Sequence, residues 1–167
     1  AAEANQGYFD HFIKAYGYDD LLLVKPDGDV FYSVKRLQDY QTNVKTGPYR
    51  NTGLGDIVKD TIEKLDDHAF HIADFAPYPP NNNKPEGFIS APILVKGKLD
   101  SILVLKLSID HINELMQQRD GMGETGESYL VGADHKMRSD SYLDPIGHSV
   151  EASFAGTVAK NGVNSDA

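Results

Sequence analysis

The 167-residue sequence predicts an α+β fold in which helices pack on a five-stranded antiparallel sheet. Three features carry that expectation. An apolar run at residues 21–24, the turn Pro26-Asp27-Gly28 and a second run at residues 30–34 form a hairpin signal. Proline fixes the first turn angle and glycine accepts a positive φ. Two more β-rich runs, FISAPILV and SILVLKLSI, are joined by KGKLD and read as a second hairpin. Apolar residues at helical spacing precede the first hairpin and separate it from the second.

Taken in order, Tyr8, Phe9, Phe12, Ile13 and Tyr16 mark an N-terminal helix that Gly17 stops. The first hairpin comes next. Residues 35–53 are polar and tyrosine-containing, and read as a structured loop. Leu54, Val58, Ile62 and Leu65 then mark a helix, with Thr52 as its N-cap. HAFHIADFAPY reads as a strand and PPNNNKPEG as an exposed loop. The apolarity of residues 101–109 predicts a central strand covered on both faces. HINELMQQ continues as a helix that Gly121-Met122-Gly123 breaks. YLVGADHKMRSDS repeats the pattern of the first hairpin and reads as a strand–turn–strand pair opening a second unit. Residues 143–167 have weak periodicity.

Composition excludes several classes. The net charge of -9, from 25 acidic and 16 basic residues with no basic cluster, argues against nucleic-acid binding. The absence of cysteine removes disulfide scaffolds, thiolate zinc sites and cysteine nucleophiles. No apolar run approaches the roughly 20 residues that cross a bilayer. The chain opens within a helix, without a signal peptide, and closes on the polar NGVNSDA. The expectation is a soluble piece of a longer protein.

Chemistry is sought and not found. Of six histidines, only His68 and His71 lie close in sequence, and their spacing suits a metal pair on neither a helix nor a strand. No metal site is expected. Gly126-Glu127-Ser128 lacks the strand-to-helix elbow of a serine nucleophile. GMGETG matches G-x-G-x-x-G but comes after a helix and opens a strand, the reverse of a dinucleotide fingerprint, and reads as a glycine joint. No cofactor is expected, and the chain does not read as an enzyme. A small hydrolase would need a nucleophile and base, and an adaptor a broad exposed apolar patch.

One region does resemble a small-molecule site, which is apolar and aromatic with a few fixed polar groups. Tyrosine supplies a flat face and one hydroxyl. The candidate ligand-binding residues are Tyr32, Lys35, Tyr40, Tyr49, Asp74, Tyr78 and Ser90. The expected cavity is bounded by Tyr32, Tyr40, Tyr49 and Asp74, with Asp74 positioned to take an ammonium group or pair with Lys35 or Arg36.

These segments carry a resemblance. YDDLLLVKPDGDVFYSV resembles the first hairpin of Cache domains, the PAS-like extracytoplasmic modules of bacterial methyl-accepting chemotaxis receptors and sensor kinases. DFAPYPPNNNKPEGFISAPI is similar to their third and fourth strands. GMGETGESYLVGADHKMRSDS resembles the segment that begins the membrane-proximal half of double-Cache receptors. The resemblance implies a long N-terminal helix on a PAS-like five-stranded antiparallel sheet, followed by a partial second unit. It implies a signalling helix at 1–17, a Cache sensor domain at 18–120 and a truncated second Cache-like unit at 121–167. A small-molecule ligand would lie on the sheet beneath the cover at residues 35–53. The parent would be a membrane-anchored receptor, homodimeric at full length, with this portion in the periplasm. It would act on a cytoplasmic kinase and coupling protein through an output domain not in this sequence. The alternative attaches the same sensor to a histidine kinase or a cyclic-dinucleotide enzyme. The double-Cache amino-acid signature places Trp-Tyr shortly after an arginine. This sequence has no tryptophan, so the resemblance stops short of that signature.

Overall fold

The computed structural model describes residues 3–66 and 69–163. His68 and the tail at 164–167 lie outside the described residues. The chain divides into two compact units, Ala1–Leu107 and Ser108–Ala167.

The first unit holds α1 (Gln6–Tyr16), β1 (Tyr18–Val24), β2 (Val30–Ser33), α2 (Gly53–Glu63), β3 (His71–Tyr78), β4 (Lys84–Val95) and β5 (Lys98–Leu107). The five strands form one antiparallel sheet in the order β2-β1-β5-β4-β3. Gly17 ends α1 in the left-handed conformation, at φ 71°, which costs glycine nothing. Thr52 caps α2 by accepting from the Gly55 N–H. Gly28, at φ 102°, closes the first hairpin where its N–H donates to the Lys25 carbonyl at 2.9 Å.

The second hairpin is tighter than KGKLD suggested, with only Lys96-Gly97 between the strands. Strand β4 also starts earlier, taking in Lys84, Pro85, Glu86 and Gly87 from the segment read as loop. Pro92 lies in β4 beyond Ser90, the last residue that β3 pairs, and stands opposite Ile102 of β5.

A strand sends successive side chains to opposite faces. Leu22, Val24, Phe88, Ile102 and Val104 therefore share one face, where Leu54, Ile57 and Val58 of α2 cover them. Leu21, Leu23 and Leu105 face the other way, onto Ile13, with Phe9 and Phe12 packed alongside. Central β5 is covered on both sides, as its apolarity predicted.

Bulges change this alternation at two places. Leu23 pairs with Tyr32 and Val24 with Val30, so Phe31 is an extra residue. Tyr18 pairs with Leu107 and Asp20 with Lys106, so Asp19 is another. Each extra residue reverses the facing of the strand residues beyond it.

In the second unit, α3 spans Ile109–Met116, α4 Val150–Ala155 and α5 Val158–Asn161. The expected strand–turn–strand pair reduces to one antiparallel bridge, Val131↔Met137. The carbonyls of Gly123, Glu124 and Gly126 turn onto the Arg119 guanidinium at 2.7–2.9 Å. The glycine joint is thus wrapped around an arginine. Among the described residues no helix is long and apolar enough to cross a membrane, and no group of three metal-ligating side chains forms.

Candidate functional site

The α2 face of the sheet is apolar at one end and charged at the other. The charged end is built from every strand. Asp20 of β1 keeps the alternation of Leu22 and Val24 and so faces inward beside Lys106 of β5, while the bulge at Asp19 sends Tyr18 to the other face. The bulge at Phe31 brings Ser33 of β2 to the same face, while Tyr78 of β3 and Glu86 of β4 close the far side. Residues 34–52 form a strap, and its Asp39 reaches in from above. Asp20 and Asp39 are fully buried, Lys106 is 1% exposed and Glu86 4%.

The Lys106 ammonium stands 3.2 Å from Asp39 and 3.9 Å from Asp20. It also lies 4.7 Å from the centre of the Tyr78 ring. The Tyr78 hydroxyl donates to Asp39 at 2.6 Å. Burial, then the neighbouring Asp39 carboxylate, pushes the Tyr78 hydroxyl far above its ordinary range, so it remains a donor. Burial raises Asp20 despite Lys106 and the N–H and O–H groups that hold its carboxylate. Burial likewise raises Glu86, against the opposing effect of the Asn81 amide that donates to it.

Hydrogen-bond accounting separates the two aspartates. Asp20 accepts from the Leu21 N–H at 2.8 Å, the Lys35 N–H at 3.0 Å and the Ser33 hydroxyl at 3.1 Å. Asp39 is less complete. Its Oδ1 and the Lys106 Nζ have no hydrogen-bond partner among the described residues. An ammonium presents three donors and a carboxylate four acceptor sites, and buried groups of this kind are nearly always satisfied. An open donor and an open acceptor at one spot are chemically matched to a small polar guest.

The sequence-predicted residues divide accordingly. Tyr78 lies in this cluster. Tyr49 lies close enough to act on Tyr78 electrostatically, and its hydroxyl donates to Gln38 at 3.2 Å. Tyr40 is half-buried in the strap with the Arg36 guanidinium over its ring. Lys35 is exposed and pairs with Asp19 at 3.0 Å. Ser90 is buried 2.6 Å from the Thr61 hydroxyl, where it ties β4 to α2. Asp74 is exposed and lines a separate open groove of about 350 Å³ between α2 and β3, with Asp56 and Asp60. Tyr32 belongs to the opposite face: it packs on Phe9, and its hydroxyl donates to Gln6 at 2.8 Å. The four residues expected around one cavity are thus spread over two faces and a groove, and the bulge at Phe31 is the reason Tyr32 leaves the set. Lys106, Asp20, Asp39 and Glu86 were not singled out from the sequence. The available signal was a lone lysine inside SILVLKLSI, an otherwise aliphatic central strand.

The strand order, the helix on each face and the strap between β2 and α2 define a PAS-like fold. Comparison with solved structures makes that more particular: the fold is that of Cache-type sensor domains. The sensor domain of the Vibrio cholerae histidine kinase DctB superposes with a TM-score of 0.53 at 13% identity, covering 88% of this chain and 51% of its own. The ligand-binding domain of the Pseudomonas fluorescens chemoreceptor CtaA, in complex with L-serine, gives 0.54 at 13%, covering 87% and 58%. That of the Pseudomonas aeruginosa amino-acid chemoreceptor PctB, in complex with L-Gln, gives 0.54 at 15%, covering 90% and 57%. This chain therefore spans little more than half the length of these neighbours. No family model and no curated protein matches the sequence.

Proposed function

We propose that the chain is the extracytoplasmic small-molecule-sensing portion of a transmembrane chemotaxis receptor, and that it does not itself catalyse a reaction. The observation that carries the reading is the buried ion pair of Lys106 and Asp39, in which the ammonium and the carboxylate's second oxygen, Oδ1, each lack a hydrogen-bond partner among the described residues. The ligand is a small polar molecule with an anionic or carbonyl oxygen for Lys106. Amino acids and hydroxy acids have that chemistry, and the neighbours solved with L-serine and L-Gln support the size class. Tyr78 and the strap residues Tyr40 and Tyr49 complete the surroundings.

The same module also occurs on a histidine kinase, as DctB shows, so a kinase output is the second reading. The superpositions cover 87–90% of this chain, while the first unit ends at Leu107. That supports reading the later residues as the opening of a second sensor unit.

A thermal-shift panel of amino acids, amines, hydroxy acids and short carboxylates tests the site, since a ligand of the native state raises apparent stability. At least one compound should raise the melting temperature of the wild type and lose that effect in Lys106→Met. No shift across the panel, or a shift retained in Lys106→Met, overturns the assignment.

A further inference from the structure

The strap is fastened firmly at both ends and differently in the middle. At its start, the Lys35 N–H donates to Asp20 and the Arg36 N–H to the Ser33 hydroxyl at 2.8 Å. At its far side the chain zips along β2. The Gln41 N–H donates to the Val30 carbonyl at 3.0 Å, the Val30 N–H to Thr42 at 2.9 Å and the Val44 N–H to Gly28 at 2.9 Å. Val44 is then buried in the α2-side core. Between these fastenings, residues 37–40 reach into the charged cluster through Asp39.

The two residues flanking that span are Arg36 and Gln41, with φ of 51° and 62°. Neither is glycine, and both sit in the left-handed region that L side chains disfavour. The closed arrangement is therefore strained at both edges and held at its centre. The central contact is also the incomplete one: Asp20 is supplied with donors from three sides, whereas Asp39 meets Lys106 and Tyr78 through Oδ2 and its Oδ1 has no partner among the described residues.

We propose that Asp39 is a releasable latch: it occupies Lys106 in the ligand-free state, and an anionic ligand group takes its place there, freeing residues 37–40 to lift between Arg36 and Gln41. This rests on the reading above that Lys106 anchors the ligand. The exchange replaces one carboxylate by another beside the same ammonium, so the buried charge is conserved while the strap is released. Relief of the two left-handed residues favours the open arrangement. The ligand then binds the open state better than the closed one, which is what a signal requires. Asp20 stays in place as the permanent counter-ion.

Hydrogen exchange followed by mass spectrometry on the 167-residue chain tests the latch without a known ligand. Asp39→Asn and Tyr78→Phe should each speed exchange over residues 36–42 by about tenfold or more, with β1 and β5 unchanged. Gln41→Gly, which takes the same φ without strain, should slow it. Acetate and succinate, against sodium chloride as the ionic control, should speed it in the wild type and not in Lys106→Met. Unchanged exchange over 36–42 in both latch variants overturns the latch, and exchange that does not slow in Gln41→Gly overturns the strained hinge. Carboxylates that leave 36–42 protected overturn the displacement step. If Asp39→Asn also loosens β1 and β5, Tyr78→Phe, which keeps every charge, carries the test. A compound that raises the melting temperature through Lys106 while 36–42 stay protected would leave the sensing site standing and remove only the latch.

Discussion

The two faces of the sheet use the same strands and bury different chemistry. Toward α1, the sheet presents Leu21, Leu23, Tyr32 and Leu105 to Ile13 and the aromatic rings of α1, and the Tyr32 hydroxyl donates to Gln6. Toward α2, the apolar residues stop partway, and Asp20, Lys106, Asp39 and Glu86 fill the rest. The first face is optimised for docking a helix. The second holds charges that hydrophobic side chains of similar size could replace with no loss of stability, so their presence calls for an explanation beyond folding. Burial by itself therefore does not distinguish core from site; the state of the buried hydrogen bonds does.

The largest way to test this contrast is to remove the cation. Lys106→Ala leaves the carboxylates of Asp20 and Asp39 buried without their counter-charge. Breaking a buried pair in this way costs about 3–5 kcal/mol. Urea unfolding at neutral pH should show that loss as a fall in midpoint. A cost near zero would mean that the aspartates do not carry their charges against Lys106, and the two faces would then be energetically alike.

The same chemical change made on both faces gives a finer comparison. Tyr78→Phe removes a donor from the fully buried Asp39 carboxylate, a loss of about 1–3 kcal/mol because the acceptor stays behind unsatisfied. Tyr32→Phe removes a hydroxyl from Gln6 at the partly buried margin of α1, and should cost about 0.5–1.5 kcal/mol. Equal costs, measured in parallel denaturant titrations, would erase the distinction drawn between the faces.

Local pattern carried some of this into the sequence and left the rest out. The Pro26-Asp27-Gly28 turn, the Thr52 cap and the aliphatic runs are local signals, and each became the expected element. The start of β4 was misread because Pro85 and Gly87 resemble loop residues, yet both lie in its extended chain, where Pro85 pairs with Pro77 of β3. The site was less legible for a specific reason. Facing in β2 depends on the bulge at Phe31, and a bulge is a property of two strands in register. Simple alternation from Val30 puts Tyr32 on the wrong face and hides Ser33. Asp39 could not be paired with Lys106 because only the folded strap brings them together across the sheet. Tyr78 was reachable from composition, as a tyrosine on a strand beside the strap.

The smallest expected effect compares carboxylates in the two units. In the first unit, burial raises Glu86. In the second, burial also pushes Glu127 upward, but three donors outweigh it and leave it lowered: the Leu143 N–H at 3.1 Å, and the Ser141 hydroxyl and Tyr142 N–H at 2.8 Å each. The signs of their pH linkage are opposite. With its folded value raised, Glu86 binds its proton more tightly in the native state. Its contribution is fully present below the ordinary glutamate value of about 4.3 and is lost as pH rises through the raised folded value. With its folded value lowered, Glu127 contributes above the ordinary value and loses that contribution as pH falls through its lowered one. Glu86→Gln should therefore gain stability relative to the wild type on going from about pH 4 to about pH 8, and Glu127→Gln should lose it over the same interval. Denaturation midpoints at those two pH values check both. A Glu86→Gln curve parallel to the wild type would mean that this carboxylate feels no burial, and the charged end of the α2 face would then be open to water.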